Sequence, residues 1–190
     1  MIFPMQVNHF AAATCLPRWG AACMLAAAAA SVFAQSKFEE DFDNRDKPWQ
    51  EIAIQLPASP VDENLLSFQV SPTATQDFAV DAKSLSVGSD GVVRYTLVAK
   101  SRSGAKNISY EGIRCRTKEK KLYAFGHLDG TWGRSRRDEW EPLSGTRPSP
   151  QQAALAADYF CRDGMVAGTA ADIVARIRRQ QRLWANNIND

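Results

Sequence analysis

From Trp49 to Leu128 apolar residues recur at every second position, and this period constrains the fold more than anything else in the chain. Ile52, Ile54 and Leu56 alternate with Glu51, Ala53 and Gln55, which predicts a half-buried strand ended by Pro57 and Pro60. Leu66, Phe68 and Val70 repeat the pattern before Pro72. Phe78 and Val80 start a third run that resumes as Leu85 and Val87, and its change of phase between Asp81 and Ser84 predicts a bulge or a break. Gly88-Ser89-Asp90-Gly91 is a tight-hairpin signal, and Val92 to Val98 is dense in β-formers. Ser101 to Lys106 reads as a polar loop centred on Gly104. Asn107–Cys115 and Leu122–Leu128 read as two further strands joined by a charged link, Arg116 to Lys121, and Asp129-Gly130 makes a turn before Trp132. The sum is an antiparallel meander.

After Trp140 the period lengthens. Arg147-Pro148-Ser149-Pro150 is a linker that becomes a helix start, with Ser149 as cap, Pro150 in the first turn and Gln152 completing a capping box. Leu155, Ala156, Tyr159 and Phe160 form an apolar stripe, and Gly164 is the expected stop. A second helix follows, capped by Thr169 with Asp172 at the third position, and Ile173, Val174 and Ile177 face inward. The predicted fold class is α+β: one domain, a curved antiparallel β-meander with two C-terminal helices packed on it.

The N-terminal stretch follows other rules. After Arg18 comes a short apolar run through Ala26 to Ala30, ending Ser31-Val32-Phe33-Ala34. A positive flank, a short apolar core and small residues before the cut make a secretory signal over residues 1–34, cleaved after Ala34 and too short to span a bilayer. Neither Cys15 nor Cys23 has the apolar residue three positions earlier that a lipid anchor needs. Residues 35–48, rich in Glu and Asp, read as a flexible acidic leader; residues 49–185 are the domain and 186–190 a frayed tail. Without the signal, Cys115 and Cys161 are the remaining cysteines, and two cysteines in an exported domain point to a disulfide. In chain-entropy terms, closing that loop of roughly 47 residues stabilises by about 4 kcal/mol. Lys and Arg total 23 against 21 for Asp and Glu, a balance unlike the basic excess of nucleic-acid binders.

Asp90-Gly91-Val92-Val93-Arg94-Tyr95, Asn107-Ile108-Ser109-Tyr110-Glu111-Gly112-Ile113-Arg114-Cys115, Tyr123-Ala124-Phe125-Gly126 and Ala156-Ala157-Asp158-Tyr159-Phe160-Cys161 belong together. In this combination the chain resembles the cryptic neisserial protein-like family of small exported proteobacterial proteins, over roughly Trp49 to Arg178. The resemblance implies an exported protein and supplies no catalytic residues.

The candidate binding residues are Arg94, Glu111, Arg114, His127, Trp132, Arg136, Arg137 and Trp140. Arg94 and Glu111, on neighbouring strands, are expected to form a cross-strand ion pair; with Tyr95, Tyr110 and Tyr123 they would also suit an aromatic-lined polar patch. Arg134, Arg136 and Arg137 between Trp132 and Trp140 suit anionic or sugar-bearing partners, although Asp138 and Glu139 neutralise them locally. Arg176, Arg178, Arg179 and Arg182 complement a helix dipole, with anionic envelope lipid as the sharper alternative. Without residues 1–34, one histidine, His127, and a cysteine couple expected to be paired leave no zinc ligand set, and no cofactor motif is present. His127 with Asp129 and a serine (Ser101, Ser103 or Ser109) would be a hydrolase constellation, but no G-x-S-x-G elbow accompanies it. Ser101-Arg102-Ser103-Gly104-Ala105-Lys106 is similar to the Ser-Gly-Ala-basic loop that periplasmic lysozyme inhibitors insert into an enzyme's active site. The expected role is a non-catalytic periplasmic binding or interaction domain, with an envelope protein or envelope component as partner and peripheral membrane contact at most. A periplasmic hydrolase or a loop-docking inhibitor is the alternative.

Overall fold

The alternating residues do build one sheet. The structure, a computed structural model, describes residues 48–137, 139–144 and 149–184; the expected signal peptide, residues 35–47 of the leader, Arg147-Pro148 and the tail lie outside them. The regular elements all fall in residues 50–190, which form one compact unit; of residues 1–49, a separate unit, only Pro48 and Trp49 are described, both exposed.

The strands are β1 (Leu65–Phe68), β2 (Gln76–Asp81), β3 (Ser86–Val87), β4 (Val92–Ser101), β5 (Lys106–Arg114), β6 (Glu119–Gly126), β7 (Trp132–Arg134) and β8 (Glu141–Pro142). All pair antiparallel in the order β1-β2-β4-β5-β6-β7, with β3 on β4 beside β2 and β8 on β6 beside β7. The expected break between Asp81 and Ser84 is a turn. Asp81 accepts from the Ser84 N–H at 3.0 Å, and Ser84 Oγ accepts the Thr96 N–H at 3.0 Å, filling the ladder where the strand is missing. The Gly88–Gly91 hairpin forms as predicted, with Gly91 at φ 74°.

Helix α1 (Pro150–Leu155) runs into a wider π-turn, Ala156–Phe160. A two-strand hairpin follows, β9 (Cys161–Arg162) and β10 (Met165–Val166), then helix α2 (Ala170–Arg178). Thr169 and Asp172 make the predicted capping box. The disulfide is present: Cys115 at the end of β5 and Cys161 after the π-turn have Cα atoms 5.4 Å apart. Helices and sheet share one core, with Val93, Tyr95, Leu97 and Ile113 meeting Leu155, Tyr159, Phe160, Ile173 and Ile177.

Several local expectations give way to tertiary contacts. Ile52, Ile54 and Leu56 are not a strand; residues 51–60 lie extended without a ladder. Ile54 and Leu56 pack on Tyr110, Tyr123 and Ala124, on the sheet face opposite the helices, and the Ile52 N–H donates to Asp90 Oδ2 at 3.1 Å. At Ile54 and Leu56 the alternation reports one-sided burial of an unpaired chain rather than strand pairing, while Ile52 is 42% exposed. This second cover explains why every residue from Val92 to Ala99 is buried. The link after β5 is shorter than expected, since Glu119, Lys120 and Lys121 pair with Arg114, Ile113 and Gly112. At the other end β6 stops at Gly126 and leaves Leu128 exposed. Gly164 does not end α1: Asp163 (φ 52°) and Gly164 (φ 76°) turn the β9–β10 hairpin. Ser149 stands at the start of α1 without a side-chain cap bond, because Gln152 turns inward to Glu111 instead of completing a capping box.

Candidate functional site

The edge of the sheet is interrupted along β6. β7 covers Ala124–Gly126 and β8 covers Glu119–Lys120, leaving an uncovered stretch of edge at Lys121–Tyr123 where, among the described residues, the Ser135 N–H to Tyr123 carbonyl bond (2.9 Å) continues the pattern.

On the face away from the helices, Glu51 is a hub. Its Oε2 accepts from Lys121 Nζ at 2.8 Å and Trp140 Nε1 at 3.4 Å, and its Oε1 from the Tyr123 hydroxyl at 2.5 Å and Arg94 Nη2 at 3.5 Å. Arg94 holds Asp90 with two bonds, 3.1 and 2.6 Å, and the Asp90 side chain is only 1% exposed. The Lys121 ammonium also lies 5.7 Å from the Tyr123 ring and 5.9 Å from the Trp140 ring. A Cβ at Gly112 would stand 2.6 Å from the Tyr123 hydroxyl oxygen, so only glycine lets that ring lie across β5. Burial pushes the Glu51 carboxyl up, but hydrogen bonds from Lys121 and Tyr123 outweigh it, and the net shift is downward. Asp90 is lowered the same way: burial opposes, while bonds from Arg94 and the Ile52 N–H prevail. Burial works against the Arg94 charge as well, yet Asp90 raises it above the ordinary guanidinium value. Tyr123 is raised by burial and by Glu51. Two carboxylates and two cations thus cancel, and the cluster fastens residues 51–56 to the sheet.

The helix face differs. Glu111, 7% exposed, accepts from the Tyr95 hydroxyl at 3.0 Å, Gln152 Nε2 at 2.9 Å and the Ser109 hydroxyl at 2.6 Å. All three donors are neutral. Burial, then the charge on Glu111, pushes the fully buried Tyr95 hydroxyl well above an ordinary phenol. Gln152 is 5% exposed, and its Oε1 has no hydrogen-bond partner among the described residues. Both residues line a cavity of about 300 Å³ whose other walls are Lys120, Lys121, Leu122, Arg137, Glu139 and Glu141. Three carboxylates therefore face three cations there. Lys121 is bound to Glu51 and Lys120 stands 4.0 Å from Glu141, leaving Arg137 without an ion pair among the described residues.

The sequence-derived candidates do not form one patch. The expected Arg94–Glu111 ion pair is absent: the register sets Arg94 opposite Gly112 and Tyr95 opposite Glu111, so the two charges point to opposite faces. Arg94, Trp140 and, through Tyr110, Trp132 belong to the Glu51 side; Trp132 also donates to the Pro57 carbonyl at 2.8 Å. Glu111 and Arg137 belong to the cavity. Arg114 lies 3.7 Å from Glu119, Arg136 is exposed, and His127 is exposed beyond β6. Asp129 is taken by the Thr131 N–H and hydroxyl, Ser109 by Glu111, and Ser101 and Ser103 by each other, so among the described residues none of these three serines is hydrogen-bonded to His127. Lys106, the basic end of the inhibitor-like loop, is bridged to Asp62 at 2.8 Å. Glu51, Asp90, Lys121 and Gln152 escape sequence reasoning. Of these, only Asp90, four residues before Arg94, carries a local signal.

A family model described as the CNP1-like family matches residues 44–178. The chain is also similar to Cryptic neisserial protein 1 of Neisseria gonorrhoeae (strain ATCC 700825 / FA 1090), 28% identical over 119 residues. That match covers 56% of this chain and 58% of the relative, so the chain spans less than two thirds of the relative's length. No solved structure matches. Among the described residues no helix is long and apolar enough to cross a membrane.

Proposed function

The chain belongs to the CNP1-like family, and from that premise we propose that it is an exported envelope protein, cleaved after Ala34, whose domain binds a small polar ligand in the Glu111–Gln152 cavity without transforming it. The disulfide and the signal-like pattern in residues 1–34 support export. One observation carries the binding reading: the Gln152 Oε1 is a buried acceptor left open inside a cavity. An unmet buried acceptor costs about 1–3 kcal/mol, which a ligand's donor would recover. The balance of three carboxylates and three cations favours a zwitterion, with its ammonium toward Gln152 and Glu111 and its carboxylate on Arg137.

Thermal-shift titration of the purified protein with free amino acids and di- and tripeptides tests this. At least one is expected to raise the midpoint, and Gln152→Leu and Arg137→Gln to abolish the rise. No shift from any zwitterion, or unchanged shifts in both variants, would remove the reading. Fractionation of the native host with N-terminal mass spectrometry tests export separately: a mature chain starting at Gln35 in the periplasm supports it, and residues 1–34 retained in the cytoplasm contradict it.

A further inference from the structure

Away from that cavity, a second concave surface of about 530 Å³ runs between α2, β9 and the chain after α2. Arg176 and Arg179 line it from α2 and the residue that follows, Arg162 from β9 and Arg182 from the final turn, with Asp172 as the sole acidic lining residue. Four arginines against one aspartate leave a surplus of three positive charges. Asp158 lies 3.5 Å from Arg182 and reduces the surplus at that end. Asp172 is occupied by the capping box, its Oδ2 accepting the Thr169 N–H at 2.8 Å and hydroxyl at 2.7 Å.

Arg162 and Arg176 are held in place by backbone carbonyls rather than by ion pairs. Arg176 donates Nη1 to the Tyr159 carbonyl at 2.6 Å and Nη2 to the Ala167 carbonyl at 2.8 Å. Arg162 donates Nη2 to the Leu183 carbonyl at 3.1 Å. Carbonyls supply dipoles that fix these two guanidinium planes, and neither forms an ion pair with a carboxylate among the described residues, Asp172 acting on Arg176 only at longer range. Burial first, then the charge of Arg162, lowers Arg176 below its ordinary value, with Asp172 opposing. Arg179 makes no side-chain hydrogen bond or ion pair among the described residues. The helix dipole accounts for cations in the last turn of α2, but not for Arg162, which comes from a strand.

We propose that this groove binds a multiply charged oxyanion, a phosphate or phosphoryl group, through Arg162, Arg176 and Arg179. Pre-oriented guanidinium forks match the paired oxygens of phosphate, and a surplus of several positive charges favours a ligand with more than one negative charge on one centre. A free phosphate ester and an anionic lipid headgroup share this chemistry. The site is separate from the Glu111–Gln152 cavity, and either can stand without the other.

Two probes on the full chain separate the sources: calorimetry with inorganic pyrophosphate at low salt, and co-sedimentation with phosphatidylglycerol vesicles against phosphatidylcholine vesicles. Arg179→Gln is the diagnostic variant, since no fold contact depends on it, and Arg178→Gln, exposed and outside the groove lining, is the control. Arg179→Gln is expected to weaken binding about tenfold, and added salt to weaken it further. Pyrophosphate binding assigns a free phosphate compound; sedimentation with phosphatidylglycerol alone assigns the headgroup. Binding to neither probe, or an equal loss in Arg178→Gln, would overturn the proposal.

Discussion

Asp90 shows how one side chain can carry two tasks of different visibility. As the third residue of a Gly-Ser-Asp-Gly turn it is legible in sequence. As the buried partner of Arg94 it is not, because its burial comes from residues 51–56, far away along the chain. Arg94→Ala takes the guanidinium from that buried carboxylate, and equilibrium denaturation is expected to show a loss of about 3 kcal/mol. Lysine does not restore it, because a single ammonium cannot make the two-oxygen contact. The same pair sets an acid limit. Asp90 and Glu51 are lowered from 3.8 and 4.5, so their contribution is complete above those values and is lost as pH falls through the lower folded ones. Urea midpoints measured between about pH 5 and pH 2 should fall steadily, and less steeply in Asp90→Asn. The direction of Glu111 was misread for a related reason. Adjacent positions on paired strands look like partners in sequence, but register alone decides which face each occupies.

At the level of elements, hydrophobic period located β1 to β6 and both helices, missed the short strands β7 to β10, and failed where a side chain had a distant partner. The capping box at Thr169 was legible because its members are local. The one expected at Ser149 was not realised, because Gln152 has a buried carboxylate to answer. Thr169→Ala should therefore cost about 1 kcal/mol by thermal denaturation. Gly164 was placed correctly and given the wrong task. A positive φ serves a helix stop and a hairpin turn equally, and the β-forming pair Met165-Val166 just beyond it decides for the hairpin. Gly164→Ala should lower stability by about 1 kcal/mol, where a helix-interior glycine would have gained from the same change.

For the whole molecule, two covers on one sheet explain what composition alone could not. The helices bury one face through apolar packing, and residues 51–56 cover the other through Ile54 and Leu56 packing and the Glu51 ion pairs. The gap in the edge of β6 is also a whole-molecule property, since it needs β7 and β8 to pair with different parts of one strand. No local pattern announces it. Replacing both Cys115 and Cys161 with serine should cost about 4 kcal/mol, measured in urea against the oxidised parent.

The bond between Cys115 and Cys161 spans 46 positions, and within that span lie β6 to β8, the residues bordering the gap, and α1. A trypsin-like protease cutting after Arg136 or Arg137, both exposed, severs a covalent ring rather than a line. The two pieces would migrate as one species until a reductant is added.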